Sequence, residues 1–161
     1  MAHAIENKIR ELGLALPEPP VSVASYEPYS ITGKLVFISG QLPIINGQAK
    51  FKGKVGKPLT IEEGALAAKL CTLNMLAHLQ NACRTIYPKQ GLNSVTKVVK
   101  IEGYVNSMPG FEDQPKIING ASDLIVSIFG KKIGSHSRIA VGVTSLPLDM
   151  PVEISGIFEI E

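Results

Sequence analysis

The sequence predicts one α+β domain in which two long helices cover one face of a sheet. Two segments carry apolar residues at helical spacing, and the segments around them are rich in β-branched residues. The elements follow one another in the order ββ(β)–α–β–α–ββ. Because both helices can lie on the same side of the strands, the expected architecture is an α+β sandwich. A chain of 161 residues has the length of a single domain.

A short helix and a proline-rich connector precede this domain. Apolar residues at helical spacing run to Leu12, where Gly13 ends the pattern. The sequence Leu-Pro-Glu-Pro-Pro at 16–20 excludes a helix and favours an extended chain. We therefore expect residues 1–20 to form an extension and residues 21–161 to form the domain.

The first strands are predicted over residues 21–25 and 34–42, with Thr32-Gly33 as the turn between them. Asn46-Gly47 is the strongest hairpin signal in the chain. A lysine-rich segment, residues 50–57, follows this hairpin and leads into the first long helix.

Two long helices are predicted on either side of a central strand. The first begins at a capping box formed by Thr60 and Glu63 and continues to about Ile86. Residues 94–106 are β-branched and predict the strand, and residues 111–129 predict the second helix, which ends at a glycine. The apolar stripes contain Leu66, Leu70, Leu73 and Leu76 in the first helix and Ile117, Ala121, Leu124 and Ile128 in the second.

The chain ends in two predicted strands, residues 137–146 and 152–160, which we expect to form a hairpin around residues 148–150. Alternate residues of the last strand are apolar and predict a face turned toward the core. This face contains Val152, Ile154, Gly156, Phe158 and Ile160.

The chain has few charged residues, and few of its basic residues are arginine. Charged residues make up only 19% of the sequence, against about 25% in an average globular domain. A surface this poor in charge favours self-association, and a net charge of +2 argues against nucleic-acid binding through bulk positive charge. Only Arg10, Arg84 and Arg138 are arginines, so a bidentate site for a planar anion must use one of them.

Several kinds of site are excluded by motifs that the sequence lacks. The cysteines and histidines have no metal-ligand spacing, and there is no nucleophile elbow, zinc-protease or dinucleotide-binding motif. Cys71 and Cys83 lie on or beside the leucine stripe, so we expect buried, reduced thiols, and His78 is interpreted as an ordinary helix residue. Without a membrane-length apolar run or a signal peptide, the expected location is the cytoplasm.

Two charged residues stand inside predicted strands. Arg138 alternates with apolar residues, and the small residues Ala140 and Gly142 on its own face leave a concavity beside the guanidinium. Glu153 interrupts the last strand in the same way, although an exposed sheet face would also explain both. In the predicted hairpin Glu153 pairs near Thr144, roughly 20 Å from Arg138 at about 3.3 Å per residue. If the two act together, their site must lie between subunits.

These residues belong to sequence motifs that resemble those of the RidA/YjgF family. The members of this family are reactive-intermediate deaminases, also described as endoribonuclease L-PSP. The resemblance runs from about Val21 to Ile160 and includes Tyr26, Leu-Val-Phe-Ile-Ser-Gly-Gln-Leu-Pro at 35–43, Ser-Arg-Ile-Ala-Val-Gly-Val-Thr-Ser-Leu-Pro at 137–147 and Pro-Val-Glu-Ile at 151–154. It implies a chorismate-mutase-like α+β fold, a mixed sheet with two long helices on one face, and a homotrimer with sites in the clefts between subunits.

The resemblance also implies an enzyme that hydrolyses 2-imino or enamine acids, such as those from 2-aminoacrylate, to 2-keto acids and ammonia without a cofactor. Arg138 would bind the substrate carboxylate, and Glu153 would position the attacking water. The pocket would be shaped by Tyr26, Ser39, Gly40, Asn119 and Ala140. Two departures bear on substrate range, since the family commonly has Cys where Ala140 stands and Gly-Pro where Ala24-Ser25 precedes the tyrosine.

Two other functions stay open from the sequence. An endoribonuclease would draw on Lys50, Lys52, Lys54 and Lys57, but a solvated loop explains these lysines and no aromatic stacking platform accompanies them. We therefore do not expect a nucleic-acid partner. A non-catalytic trimer that binds small carboxylates would use Arg138 without turnover.

Overall fold

In the part of the chain that the structure describes, a five-stranded mixed sheet with two long helices against one face forms the body of the protein. The computed structural model describes residues 4–19 and 25–161. The strands are β1 (Tyr29–Thr32), β2 (Leu35–Gln41), β3 (Ile44–Ile45), β4 (Gln48–Ala49), β5 (Val95–Asn106), β6 (Ser137–Val143) and β7 (Val152–Ile160). The helices are α1 (Ala4–Glu11), α2 (Ile61–Ile86) and α3 (Gln114–Gly134), and short 3-10 turns occur at Gly91–Ser94 and Pro147–Asp149.

The strand order of the main sheet is β1-β2-β7-β5-β6. All neighbouring strands are antiparallel except β5 and β6, which are parallel because α3 connects them as a crossover. The helices α2 and α3 pack on the face that carries the buried residues of β2, β5 and β7. The predicted α+β architecture with two long helices on one face is therefore confirmed.

The predicted hairpin between the last two strands is wrong. Strand β5 lies between β6 and β7, so residues 137–143 and 152–160 never pair with each other. The connection passes the end of β5, where Asn106 N donates to Pro151 O over 2.8 Å. Leu148 and Asp149 both have a φ of 58°, which helps to turn the chain there. As a central strand, β7 pairs on both sides, and its predicted apolar face is buried as expected.

The first strand of the sheet differs from the prediction. Most of the predicted strand 21–25 lies outside the described residues, and the edge strand is β1, a four-residue segment with alternate residues half-buried. The turn at Thr32-Gly33 is confirmed, with Gly33 at a φ of 55°. The hairpin at Asn46-Gly47 is confirmed as well, and the φ values of 51° and 74° are those of a type I′ turn.

The capping box that begins α2 is confirmed in both directions. Glu63 N donates to Thr60 Oγ1 over 3.1 Å, and Thr60 N donates to Glu63 Oε2 over 2.8 Å. Cys71 and Cys83 are buried as predicted, and burial raises the pKa of both thiols. Leu66 departs from the predicted apolar stripe, since half of its surface is exposed.

The second long helix is regular as far as Gly130, which adopts a φ of 74° and interrupts it as predicted. One further turn follows before β6. The two helices approach closely at Gly120, where a Cβ would overlap the backbone carbonyl of Ala65. This contact brings α3 near enough for its polar side chains to reach the edge of the sheet.

The N-terminal helix α1 packs on the body through Ile9, which is buried. Ile5 N donates to Asn93 Oδ1 over 3.2 Å, and Asn93 Nδ2 donates to Glu6 Oε2 over 3.1 Å. The division of the chain at residue 20 stays a prediction. In the described ranges, no helix has both the length and the apolar character needed to cross a membrane.

Candidate functional site

Arg138 lies on the edge strand β6 and points to the helix side of the sheet. It pairs with Ile101, a buried residue of β5 on the helix face. Its Nη1 donates to Asn119 Oδ1 over 2.8 Å and to Ser122 Oγ over 3.2 Å, and both acceptors belong to α3. Arg138 is nevertheless exposed. The predicted residues Arg138 and Asn119 are thus in direct contact.

Ser122 and His136 extend this contact into a network that the sequence prediction missed. His136 Nδ1 lies 2.6 Å from Gly134 O, and His136 Nε2 lies 3.0 Å from Ser122 Oγ. Two signals pointed to these residues: Ser122 is one helical turn from Asn119, and His136 is two residues before Arg138. Neither signal identifies a partner unless the crossover connection is known.

Ala140 follows Arg138 on the same face of β6 and packs against the edge of the core. Gly142 comes next on this face, and a Cβ there would lie 2.8 Å from Nε2 of Gln114, the first residue of α3, and 2.9 Å from Ser107 Oγ. The small side chains predicted beside the guanidinium are therefore placed where the sheet edge meets the beginning of α3.

Glu153 lies on the other face of the sheet. It pairs with Tyr104 of β5, and its neighbours Val152 and Ile154 face the helices. The carboxylate occupies the space beside Gly40, since a Cβ on that glycine would overlap it. Burial raises the pKa of the Glu153 carboxyl above its ordinary value, so it holds a proton at a higher pH than an exposed carboxyl does.

Ser39 and Tyr26 lie with Glu153 and Gly40 at the irregular end of β2. Ser39 Oγ donates to Glu27 O over 2.7 Å, and Ser39 N donates to Pro28 O over 3.0 Å. The pairing of β2 with β7 shifts register at this point. Tyr26 precedes Glu27 and is 53% exposed. These contacts position the loop that carries the tyrosine against the strand that carries Gly40.

The seven predicted residues therefore form two separate groups. Arg138, Asn119 and Ala140 lie at the β6 edge, whereas Tyr26, Ser39, Gly40 and Glu153 lie at the end of β2 and β7. The β5 partners of Arg138 and Glu153 are three residues apart. This corresponds to roughly 10 Å along the strands and roughly 10 Å across two strand spacings. The two residues also face opposite sides of the sheet, so they do not share a site within one chain.

The lysine-rich segment contains one residue with a structural role. Lys54 is half-buried, and its Nζ donates to Asn106 Oδ1 over 2.7 Å and to Thr144 O. Lys50, Lys52 and Lys57 are exposed. The interpretation of this segment as a solvated loop is therefore wrong for Lys54, which ties the loop to the ends of β5 and β6.

A cavity elsewhere on the surface does not involve the predicted residues. A cavity of about 850 Å³ lies between the end of α1, the two long helices and the β3–β4 hairpin, and none of the seven lines it. Within residues 4–19 and 25–161, no group of three or more His, Cys, Asp or Glu side chains is arranged to hold a metal ion.

The mixed sheet with two long helices on one face defines an α+β protein whose edge strand carries an exposed arginine. Residues 6–157 match the family described as "YjgF/chorismate mutase-like, putative endoribonuclease". The chain belongs to this family, as its resemblance to RidA/YjgF proteins predicted.

Similar proteins extend over almost the whole chain. Protein TCP17 of Trypanosoma cruzi is 38% identical over 152 residues, which cover 94% of this chain and 91% of that protein. The crystal structure of Atu1372, a protein of unknown function from Agrobacterium tumefaciens, is 38% identical with a TM-score of 0.87, covering 99% of this chain and 93% of the other. A "putative endoribonuclease" from Shewanella oneidensis MR-1 is 34% identical with a TM-score of 0.89, covering 97% and 99%.

Proposed function

We propose that this protein hydrolyses small 2-imino and enamine acids to 2-keto acids and ammonia. The observation that carries the proposal is the hydrogen bonding of the Arg138 guanidinium. Its Nη1 is held by α3, whereas Nε and Nη2 donate no hydrogen bond to any described residue. The side chain is exposed, and it forms no ion pair with a carboxylate in the described part of the chain. A guanidinium with a free fork is suited to a planar carboxylate.

Glu153 is proposed as the general base and acid. As the water oxygen bonds to the imine carbon, the carboxylate takes a proton from the water and the C=N electron pair moves to nitrogen. The carboxyl then returns that proton to the amine. The carboxylate next takes the hydroxyl proton of the carbinolamine and passes it to the amino nitrogen. Ammonia then leaves with the electron pair of the C–N bond as the oxygen forms the carbonyl, so the products are one keto acid and one ammonia. A carboxyl whose pKa is raised by burial is suited to both transfers, and no step requires a cofactor.

The proposed site lies between subunits of a homotrimer. One chain would supply Arg138, and its neighbour would supply Glu153, because the two face opposite sides of one sheet. Large apolar residues on the face of the sheet away from the helices support association, since Phe37 is 38% exposed and Ile139 is 41% exposed. The assembled cleft would be lined by Tyr26, Ser39, Gly40, Asn119 and Ala140, and the proposed location is the cytoplasm.

The test generates 2-aminoacrylate with a lyase and follows the appearance of the keto acid. The full-length protein should accelerate this step, and both Arg138→Ala and Glu153→Gln should abolish most of the acceleration. Arg10→Ala, an exposed arginine of α1, is the matched control and should act like the parent. Light scattering should give three times the mass of the chain. No acceleration over buffer by the parent protein would contradict the proposal.

A second candidate is cleavage of RNA, which the description of the family and of the Shewanella protein favours. An RNA substrate should then be degraded by an activity that co-purifies with the assembled protein and disappears in Glu153→Gln. The exposed lysines Lys50, Lys52 and Lys57 would supply phosphate contacts.

A third candidate, a carboxylate-binding protein without turnover, would retain affinity for a keto acid and show no deaminase activity.

A further inference from the structure

We propose that Ser122 and His136 are positioning residues that, together with Asn119, hold the Arg138 guanidinium so that its Nε–Nη2 edge receives the substrate carboxylate. This inference rests on the carboxylate-binding role proposed for Arg138. It adds the residues that orient the group and the edge of the guanidinium that the ligand meets.

The direction of each hydrogen bond in the network follows from its fixed end. Gly134 O can only accept, so the His136 tautomer that fits this network carries its proton on Nδ1. His136 Nε2 is then an acceptor and takes the hydroxyl proton of Ser122 over 3.0 Å. With its proton directed to the imidazole, Ser122 Oγ presents lone pairs to Arg138 Nη1 at 3.2 Å. A carbonyl on the backbone thereby determines what the serine offers to the arginine.

The network uses one end of the guanidinium and leaves the other free. Arginine has five N–H donors, two of them on Nη1. Asn119 Oδ1 and Ser122 Oγ together account for the two on Nη1. The N–H of Nε and one N–H of Nη2 point the same way and form the side-on fork that binds a carboxylate through two parallel hydrogen bonds. The expected ligand group is therefore a planar monocarboxylate bound side-on.

Holding the side chain in advance matters because Arg138 is exposed on an edge strand. A long side chain that is free in solution loses rotamer freedom when it binds a ligand. Two anchors on α3 reduce that loss before the ligand arrives. We expect their removal to weaken carboxylate binding by about fivefold to tenfold, while the charge of Arg138 stays in place.

The variant Ser122→Ala tests the network because it removes the link to His136 and one acceptor of Nη1. Titration with 2-oxobutyrate, a stable keto acid, should show binding weakened by about fivefold. In the deaminase assay KM should rise by a similar factor, and kcat should stay within about twofold. Ser122→Thr restores the hydroxyl and should restore the affinity. Ser127→Ala, which removes another α3 hydroxyl whose partner is Asp123 O, should match the parent.

A second measurement does not depend on any ligand. Nitrogen-15 relaxation of Arg138 Nε should report an ordered side chain in the parent and a mobile one in Ser122→Ala and in His136→Phe. The network is overturned if Arg138 stays ordered and the keto-acid affinity is unchanged in Ser122→Ala while Arg138→Ala loses binding. If the parent does not bind the keto acid, or if Arg138→Ala binds it equally well, the carboxylate role of Arg138 fails instead, and this inference fails with it.

Discussion

The carboxylate of Glu153 fills the space that a side chain at Gly40 would need. Gly40 lies where the β2–β7 pairing changes register, so the irregularity in β2 and the position of the carboxylate are parts of one arrangement. The space for a side chain at Gly40 is limited by the Glu153 side chain and not by the backbone dihedrals of the glycine. A side chain added at Gly40 would therefore displace the Glu153 carboxylate and leave the packing of the fold unchanged.

Gly40→Ala should therefore reduce activity more than it reduces stability. The new methyl group overlaps the end of a flexible side chain, so the Glu153 carboxylate can swing away at small cost. Since a positioned acid or base contributes about 10²–10⁴-fold to a rate, we expect kcat to fall at least about tenfold. The coupled lyase assay measures this loss, and thermal unfolding should change little. A fully active Gly40→Ala variant would show that the position of Glu153 is irrelevant to turnover.

Gly120→Ala should have the opposite effect. A Cβ there overlaps the backbone carbonyl of Ala65, which cannot move without separating α2 from α3. We expect the free energy of unfolding to fall by about 1–3 kcal/mol, the usual cost of overpacking. Urea unfolding measures this change. Ser127→Ala on the same helix is the control, and a loss at Gly120 no larger than in that control would contradict the proposed close contact.

Glu153→Gln and Glu102→Gln should change stability in opposite directions at neutral pH. Burial raises the pKa of Glu153 in the folded protein, so its ionised form costs stability above that pKa, and Gln should stabilise. The hydrogen bond from Lys100, and to a lesser degree that from Ser155, lowers the pKa of Glu102 in the folded protein. Its ionised form contributes stability above the ordinary value, so Gln should destabilise.

The stability differences between each of these two variants and the parent should both disappear at low pH. For Glu153 the folded protein holds the proton more tightly, so the penalty vanishes as the pH falls through the raised pKa to below the ordinary value of 4.5. For Glu102 the stabilisation is lost as the pH falls through the lowered pKa. Urea unfolding of both variants and the parent between pH 3 and 7 provides the comparison. Parallel stability curves for Glu153→Gln and the parent would mean that this carboxyl is not perturbed.

Lys54→Met should destabilise the protein, whereas Lys52→Met should not. Lys54 Nζ bridges Asn106 Oδ1 and Thr144 O, and its loss leaves both acceptors without that donor. We expect a cost of about 1–2 kcal/mol in urea unfolding. Lys52 is exposed and serves as the matched charge removal from the same segment. If the two variants are equally stable, Lys54 contributes no more to stability than a solvated surface lysine does.

Local sequence patterns predicted most of the elements and part of the site. The capping box at Thr60, the turn at Asn46-Gly47 and the helix break at Gly130 depend on residues within one or two turns of each other, so their structure follows from nearby sequence. Arg138 and Glu153 were singled out because a charge inside an apolar strand is unusual. The short edge strand β1 was missed because its four residues are only alternately half-buried.

The sequence by itself determined which segments are helices and strands, which faces are apolar and which charged residues stand apart. The strand order was decided by the tertiary structure, because β7 pairs with strands more than 40 residues away on both sides, and no local pattern specifies such partners. The same long-range pairing separates Arg138 from Glu153. The crossover through α3 also brings Asn119, Ser122 and His136 to the arginine, since a hydrogen-bond network depends on distances in space and not on spacing along the chain.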